Sequence, residues 1–275
     1  MYKSENQIYK LTEEDEKMLS EHMKFYEDFN KYGFFILDNC FGNDIIEDYE
    51  LTIYSSLYKI LEILDTLEVM TENSLINSGY IIVRSLLEEA VQLAYMINDT
   101  SLVEKRAIIL QMLDIKRTSQ DESLFYSEMK KKSCYKNFVC EIEGKEYNNW
   151  YSFCEGKKTF LKDLFTVVGW QNLYTELYQP LCKEAHVITH MESNIVPSSD
   201  GKFSFKPFRN FENHNSLMKC IQMTIIPLYS AFFDRYDSLT ELKDEWDEYS
   251  KKTYEYIERA KIIVELFGNM GKHFY

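Results

Sequence analysis

GYIIVRSLLEEAVQLAYMIN, residues 79–98, is the stretch that decides the fold. Its apolar residues fall on nearly every side of a helix, which is the pattern of a helix at the centre of a bundle. We therefore predict a central helix over residues 78–98. Of its three charged residues, Arg84 and Glu88 are spaced four apart, so they share one face of this helix.

The segments before this stretch also carry helical patterns. A first helix is predicted to begin at Thr12, an N-cap residue followed by three acidic residues that suit the positive end of a helix, and to end near Gly33. A second helix is predicted over residues 44–72. Its apolar face has the helical spacing of Ile53, Leu57, Ile60, Leu61 and Leu64.

The segments after the central helix are more varied. Ser101 and Glu104 form a capping-box pattern that predicts a helix reaching Lys116. Residues 118–158 are polar and irregular, with stretches short enough for small strands, and residues 194–208 indicate a loop or small hairpin. Further helices are predicted over residues 160–168, 170–190, 211–236 (kinked at Pro227) and 238–267, the last with a capping box of Ser238 and Glu241.

The composition supports one all-α domain spanning residues 1–275, with an irregular segment at 118–158. Only 9 glycines and 4 prolines occur in 275 residues, which disfavours β-sandwiches and loop-rich folds. The 45% of hydrophobic residues exclude a disordered or fibrous chain. A net charge of −14 disfavours broad electrostatic binding to nucleic acids or anionic membranes.

The cysteines and the apolar runs indicate a soluble, cytoplasmic protein without a membrane partner. The six cysteines contain no Cys-x-x-Cys pair, so zinc-ribbon and thioredoxin-type motifs are absent from the sequence. The N-terminal residues are polar and do not have the pattern of a signal peptide. The longest nearly apolar run, residues 220–233, is shorter than the roughly 20 residues that a membrane span needs.

Arg84 and Glu88 have two interpretations. Burying both charges is costly unless each has a partner, so we expect them to be largely buried and paired. They form either a structural ion pair or the polar pocket of a bundle core. In such a pocket the arginine would hold an anionic ligand and the glutamate would orient a histidine.

A second candidate element is the segment from Tyr178 to His190. If it is helical, Cys182, His186 and His190 lie on one stripe and could ligate a metal ion. The residue after His186 is a valine, so the general base of a zincin motif is missing. The alternative is a solvated helix end or a histidine hydrogen-bonded in the core. We predict no bound metal and no cofactor.

The order of these motifs resembles a bacterial family of helical proteins known only as a domain of unknown function. The resemblance rests on Arg84-Ser-Leu-Leu-Glu88, a segment around Trp150, and Tyr178-x-x-Leu-Cys-x-x-x-His186. It covers about residues 50–235. It implies an all-α fold and suggests that Arg84, Glu88, Tyr178 and His186 meet in one site, but it implies no reaction.

A third element, Arg209-Asn210-x-x-x-His214, resembles the signature of HEPN ribonucleases, which are all-α proteins of bacterial toxin and anti-phage systems. The resemblance implies a bundle of HEPN type. It also implies that His214 acts on the 2′-hydroxyl of RNA and that Arg209 stabilises charge on the scissile phosphate, without metal and across a dimer interface. Asn210 matches the polar position after the arginine.

The sequence thus leads to two functional hypotheses. The first is a metal-independent endoribonuclease with Arg209, Asn210 and His214 as catalytic residues and RNA as substrate, aided by the local charge of Lys202, Lys206 and Lys219. Its expected setting is a toxin or phage-defence system, as a homodimer or with a cognate protein partner. The second is a non-enzymatic, ligand- or protein-binding regulatory module, with Arg84, Glu88, Tyr178 and His186 as its site.

Overall fold

A computed structural model of the chain describes residues 11–41, 47–184, 195–197, 203–205 and 213–259. These residues form a helical bundle, which confirms the all-α prediction. Its likeness to the HEPN bundle stays a prediction. The first half of the chain contributes four long helices: α1 (Glu13–Phe41), α2 (Asp48–Glu72), α3 (Ile76–Ile97) and α4 (Val103–Thr118).

The remaining elements include six short helices, one hairpin and two long helices. The short helices are α5 (Glu122–Lys131), α6 (Val139–Ile142), α7 (Trp150–Glu155), α8 (Leu161–Val167), α9 (Gln171–Leu173) and α10 (Gln179–Glu184), with a π-helical turn (Tyr174–Tyr178) between the last two. The strands β1 (Ile195–Pro197) and β2 (Phe203–Phe205) pair antiparallel, as the hairpin prediction expected. The long helices are α11 (His214–Arg235), which contains Pro227, and α12 (Thr240–Arg259).

Helix α3 is the centre of the bundle, as its sequence predicts. Thirteen of its 22 residues are buried. It packs against α2 and α11 along its length and against α4, α8 and α10 at its sides. This placement explains why the helix is apolar on almost every face, because a neighbouring helix covers each of those faces.

Helix α1 continues eight residues beyond Gly33, so the predicted end of this helix is wrong. Its start is as predicted: the Thr12 hydroxyl accepts a hydrogen bond from the Asp15 backbone, and the Asp15 carboxylate accepts one from the Thr12 backbone. A methyl group at Gly33 would overlap Leu61 of α2 and Tyr229 of α11. The glycine therefore permits close helix packing here and does not terminate the helix.

Residues 118–158 are more regular than predicted, since they hold α5, α6 and α7 and no strand. These helices pack onto α4 and form a second apolar cluster beside the main core. The apolar residues in this part of the chain are spread over short helices of 4 to 10 residues. A helical period is hard to detect over such short stretches, so the sequence pattern indicates an irregular segment where the structure has helices.

The predicted capping box of Ser101 and Glu104 is also wrong. The Ser101 hydroxyl donates to the Asp99 carboxylate, 2.7 Å away, and α4 begins at Val103 without a side-chain cap. The C-terminal end of α3 is capped by arginine side chains from other helices. Arg106 of α4 donates to the Tyr95 carbonyl at 2.6 Å, and Arg235 of α11 donates to the Ile97 carbonyl at 2.6 Å. These bonds satisfy carbonyls that have no partner within the helix.

Among the described residues, α11 is the one helix that is long and apolar enough to cross a membrane by length and composition. Of its most apolar window, 78% is buried within the bundle. That degree of burial is typical of the core helix of a folded domain, and the predicted cytoplasmic location stays a prediction.

Candidate functional site

Arg84 and Glu88 meet on one face of α3, as their spacing predicts. The Arg84 Nε donates to Glu88 Oε1 at 3.0 Å. The two side chains are 33% and 31% exposed, so the expectation that they are largely buried is wrong. They lie at the edge of α3 that its neighbours leave partly open to solvent. This position lowers the desolvation cost of holding two charges on the central helix.

Tyr178, from a different element, joins Arg84 and Glu88 in a group of contacting side chains, here called the Arg84 cluster. Its hydroxyl donates to the same Glu88 oxygen at 2.8 Å, and the Arg84 guanidinium carbon lies 5.9 Å from the centre of its ring. The ring packs against those of Phe165 and Tyr174, at 5.7 and 5.5 Å, and these two rings also contact each other. Tyr178 is the last residue of the π-helical turn, a distortion that is frequent at functional sites.

The charges of the cluster stabilise one another. Burial of the Arg84 guanidinium opposes its charge, but Glu88, Cys182 and Tyr178 outweigh burial and raise the pKa of Arg84. Burial and the bond to Glu88 also raise the pKa of Tyr178, so its hydroxyl stays a donor at neutral pH. The cluster therefore presents a permanent cation beside a fixed carboxylate. Cys182 lies one helical turn beyond Tyr178 and is half-buried.

The structure thus brings together Arg84, Glu88 and Tyr178, three of the four residues that the family resemblance places in one site. The fourth expected member, His186, lies outside the described residues. So does His190, so the metal alternative of Cys182, His186 and His190 and the prediction of no bound metal both stay untested.

A residue that sequence reasoning missed, Gln92, connects the cluster to the Trp150 segment. Its side-chain oxygen accepts from the Trp150 indole at 2.7 Å, and its nitrogen donates to the Glu88 carbonyl at 3.0 Å. Gln92 lies one turn after Glu88, so the same helical spacing that links Arg84 to Glu88 could have identified it. It anchors α7 to the turn of α3 that carries Glu88.

His214 of the ribonuclease-like motif is the first residue of α11 and is 1% exposed. It follows Asn213, whose left-handed φ of 67° is tolerated by asparagine. The start of this helix is therefore part of the buried core. Arg209 and Asn210 lie outside the described residues, so their position relative to His214 stays a prediction.

His214 packs against a second histidine, His22 of α1. Their rings are nearly parallel, with centres 6.0 Å apart, and His22 Nε2 is 3.0 Å from the Asn215 side-chain oxygen. Burial and the neighbouring His22 lower the pKa of His214 to about 4, and burial lowers that of His22. His22 was missed in the sequence, although its spacing of four from Tyr26 on the apolar face of α1 indicates burial.

The Arg84 cluster lies in a region of the chain that matches a known protein family. Residues 50–203, more than half of the chain, match the model of DUF5677, described as a family of unknown function. The chain belongs to the DUF5677 family. No curated protein and no solved structure matches it.

The DUF5677 match confirms the resemblance drawn from the sequence, with a region that ends at residue 203 rather than 235. Arg84, Glu88, Trp150 and Tyr178 all lie within the DUF5677 region. The motif from Arg209 to His214 lies beyond it. The part of the chain that defines the family is therefore the part that holds the Arg84 cluster.

Proposed function

We propose that this protein is a ligand-binding regulatory helical module and that Arg84 holds the anionic group of its ligand. The observation that supports this proposal is the geometry of the cluster. A charged arginine is held by Glu88 and Tyr178 on the central helix of the bundle, yet its side chain is 33% exposed. A cation that is both held in place and reachable from solvent suits the recognition of a charged ligand.

The bonding pattern of Arg84 favours a carboxylate or phosphate group. Its bond to Glu88 uses Nε. Its terminal nitrogens carry further donors, and a guanidinium can donate paired hydrogen bonds to two oxygens of one anion. Glu88 keeps the guanidinium oriented and also repels an anion placed too close to it. An incoming anion would therefore approach along the side of Arg84 that faces away from Glu88.

Thermal unfolding in the presence of inorganic phosphate tests the proposal. Binding to the folded state alone stabilises it by about 2.7 kcal/mol when the ligand is at about 100 times its Kd. Phosphate should raise the Tm of the wild-type protein at constant ionic strength, and Arg84→Gln should abolish the rise. Arg117→Gln is the matched control, because Arg117 also pairs with an acidic residue of its own helix, Asp114, and is 69% exposed.

The proposal fails if Arg84→Gln responds to phosphate as Arg117→Gln does. Circular dichroism of each variant without phosphate shows whether it has folded. Arg84→Lys adds a second readout, because lysine keeps the charge and loses the paired donors. A partial response of Arg84→Lys supports charge together with geometry.

A second candidate function is the metal-independent endoribonuclease, with Arg209, Asn210 and His214 as its catalytic residues. The observation that favours it is the Arg209-Asn210-x-x-x-His214 motif in the sequence; burial lowers the pKa of His214 to about 4 and leaves the ring 1% exposed, so catalysis requires this neutral imidazole to become accessible to RNA. A neutral imidazole is the form that accepts a proton from the 2′-hydroxyl of RNA. This activity would fit a bacterial toxin or phage-defence protein that works with a homodimeric or cognate partner.

RNA cleavage in EDTA tests this second candidate. Arg209→Ala and His214→Ala should each lower the rate by about 10²–10⁴-fold. Because His214 is buried against His22, a urea unfolding curve must show that its variant is folded before a lost rate is assigned to chemistry. Cleavage that survives in Arg209→Ala would place the activity elsewhere, and an absence of cleavage by the wild-type protein would leave the binding module as the function.

A further inference from the structure

A groove of about 470 Å³ runs between α1 and α2, on a different pair of helices from those that carry the Arg84 cluster. Two aromatic rings on its walls are open to solvent: Phe34 is 49% exposed and Tyr58 is 45% exposed. Leu61, which is 4% exposed, also lines it and belongs to the main core. The other lining residues are Asn30, Glu62, Asp65 and Thr66.

The charged residues that line this groove are acidic. Glu62 and Asp65 are exposed, and the described residues that line the groove include no lysine or arginine. The lysines beside its two aromatic positions are engaged elsewhere. Lys31 of α1 pairs with Glu245 at 2.6 Å, and Lys59 of α2 pairs with Glu89 at 2.5 Å.

The acidic surface continues along α2 beyond the groove. Burial raises the pKa of Glu68, and the carboxylates of Asp65, Glu27 and Glu72 raise it further. These carboxylates therefore repel one another across α1 and α2. A cationic partner would relieve this repulsion, so charge complementarity identifies the kind of occupant.

We propose that this groove is a docking site for a lysine- or arginine-rich segment of a partner protein. The exposed rings of Phe34 and Tyr58 are aromatic surface on which cationic side chains can pack, and Glu62 and Asp65 offer carboxylates beside them. The net charge of −14 steers such a segment to the protein over a longer range. The groove is separate from the anion site at Arg84, so either proposal can fail without the other.

Fluorescence anisotropy with a labelled lysine–glycine repeat peptide tests the docking site on the full chain. The peptide should bind, and its affinity should fall as salt rises from about 0.01 to about 0.1 M, because the Debye length then shortens from about 30 to about 10 Å. Reversing the charges with Glu62→Lys and Asp65→Lys together should weaken binding about tenfold or more. Phe34→Ala and Tyr58→Ala should each weaken it about two- to fivefold.

Matched controls separate the groove from the overall charge. Asp244→Lys with Asp247→Lys changes the net charge by the same amount, at the same spacing of three, on exposed positions of α12. Phe160→Ala removes another exposed ring, 57% exposed, outside the groove. Both controls should leave the affinity within about twofold of the wild-type value.

Three outcomes overturn the docking site. They are the absence of peptide binding, equal losses in the groove variants and in their controls, and tight binding of spermidine in the groove without binding of the peptide. The first contradicts the site, the second shows an effect of net charge alone, and the third assigns the groove to a small polyamine.

Discussion

Replacement of Arg106 by alanine is the perturbation whose effect the structure defines most sharply. Arg106 belongs to α4 and is 4% exposed, and its side chain contacts α3 and α7. Its Nη1 donates to the Tyr95 carbonyl at 2.6 Å and to the Asn98 side chain at 2.5 Å, and its guanidinium carbon lies 3.8 Å from the centre of the Tyr95 ring. Its Nη2 is 3.8 Å from Glu155.

The expected loss of unfolding free energy is about 3–5 kcal/mol. Hydrogen bonds from a charged donor contribute about 1.5–3 kcal/mol each, and Arg106 makes two of them to groups at the end of α3. Breaking a buried ion pair by removing one partner costs about 3–5 kcal/mol. Glu155 is 33% exposed and can be hydrated in the variant, which favours the lower end of this range.

Urea unfolding followed by circular dichroism measures this loss. Arg117→Ala is the control on the same helix, because Arg117 pairs with Asp114 on the surface and should contribute only about 0.2–1 kcal/mol. The m-value should stay unchanged if both variants keep the native fold. A loss below about 1 kcal/mol in Arg106→Ala, or one equal to that of Arg117→Ala, would refute the role assigned to Arg106.

Three further predictions follow from the site. Glu88→Ala should lower the unfolding free energy by about 1–2 kcal/mol, because Arg84 stays in contact with water. This loss is smaller than the roughly 3–5 kcal/mol typical of a buried pair, and a loss above about 3 kcal/mol in urea unfolding would contradict the prediction. Because the folded state lowers the pKa of His22 and His214, the unfolded state binds more protons below about pH 6.5, so the unfolding free energy should fall as the pH drops toward 4. His214→Gln should flatten that slope between about pH 6.5 and 5, and an unchanged slope would remove this histidine as its cause. Elemental analysis of protein purified without chelator should find no stoichiometric metal, whereas one zinc per chain would reinstate the stripe of Cys182, His186 and His190.

Much of the fold could be predicted because long helices carry their own signal. The apolar pattern of α3 predicts both its existence and its central place. The role of Gly33 could not be predicted, because a glycine that ends a helix and a glycine that permits close packing look the same in sequence. The difference lies in Leu61 and Tyr229, which are distant along the chain and contact α1 at this position.

Only part of the candidate site, likewise, could be predicted from the sequence. The spacing of four predicts that Arg84 and Glu88 pair, because both lie on one helix. The family resemblance added Tyr178, and its 2.8 Å bond to Glu88 spans 90 positions of the chain. The partial exposure of the pair, about one third of each side chain, could not be predicted, because it depends on which faces of α3 its neighbours cover.

By itself, therefore, the sequence determined the helical class, the central helix, the pairing of Arg84 with Glu88 and the acidic surface, because these depend on local spacing and composition. Only the tertiary structure decided that His22 stacks on His214, that Arg106 closes the end of α3, and that Phe34 and Tyr58 flank one acidic groove. The physical reason is that helical periodicity fixes the direction of a side chain about its own helix. The partner that it meets is set by how separate helices pack, and a one-dimensional pattern does not contain that information.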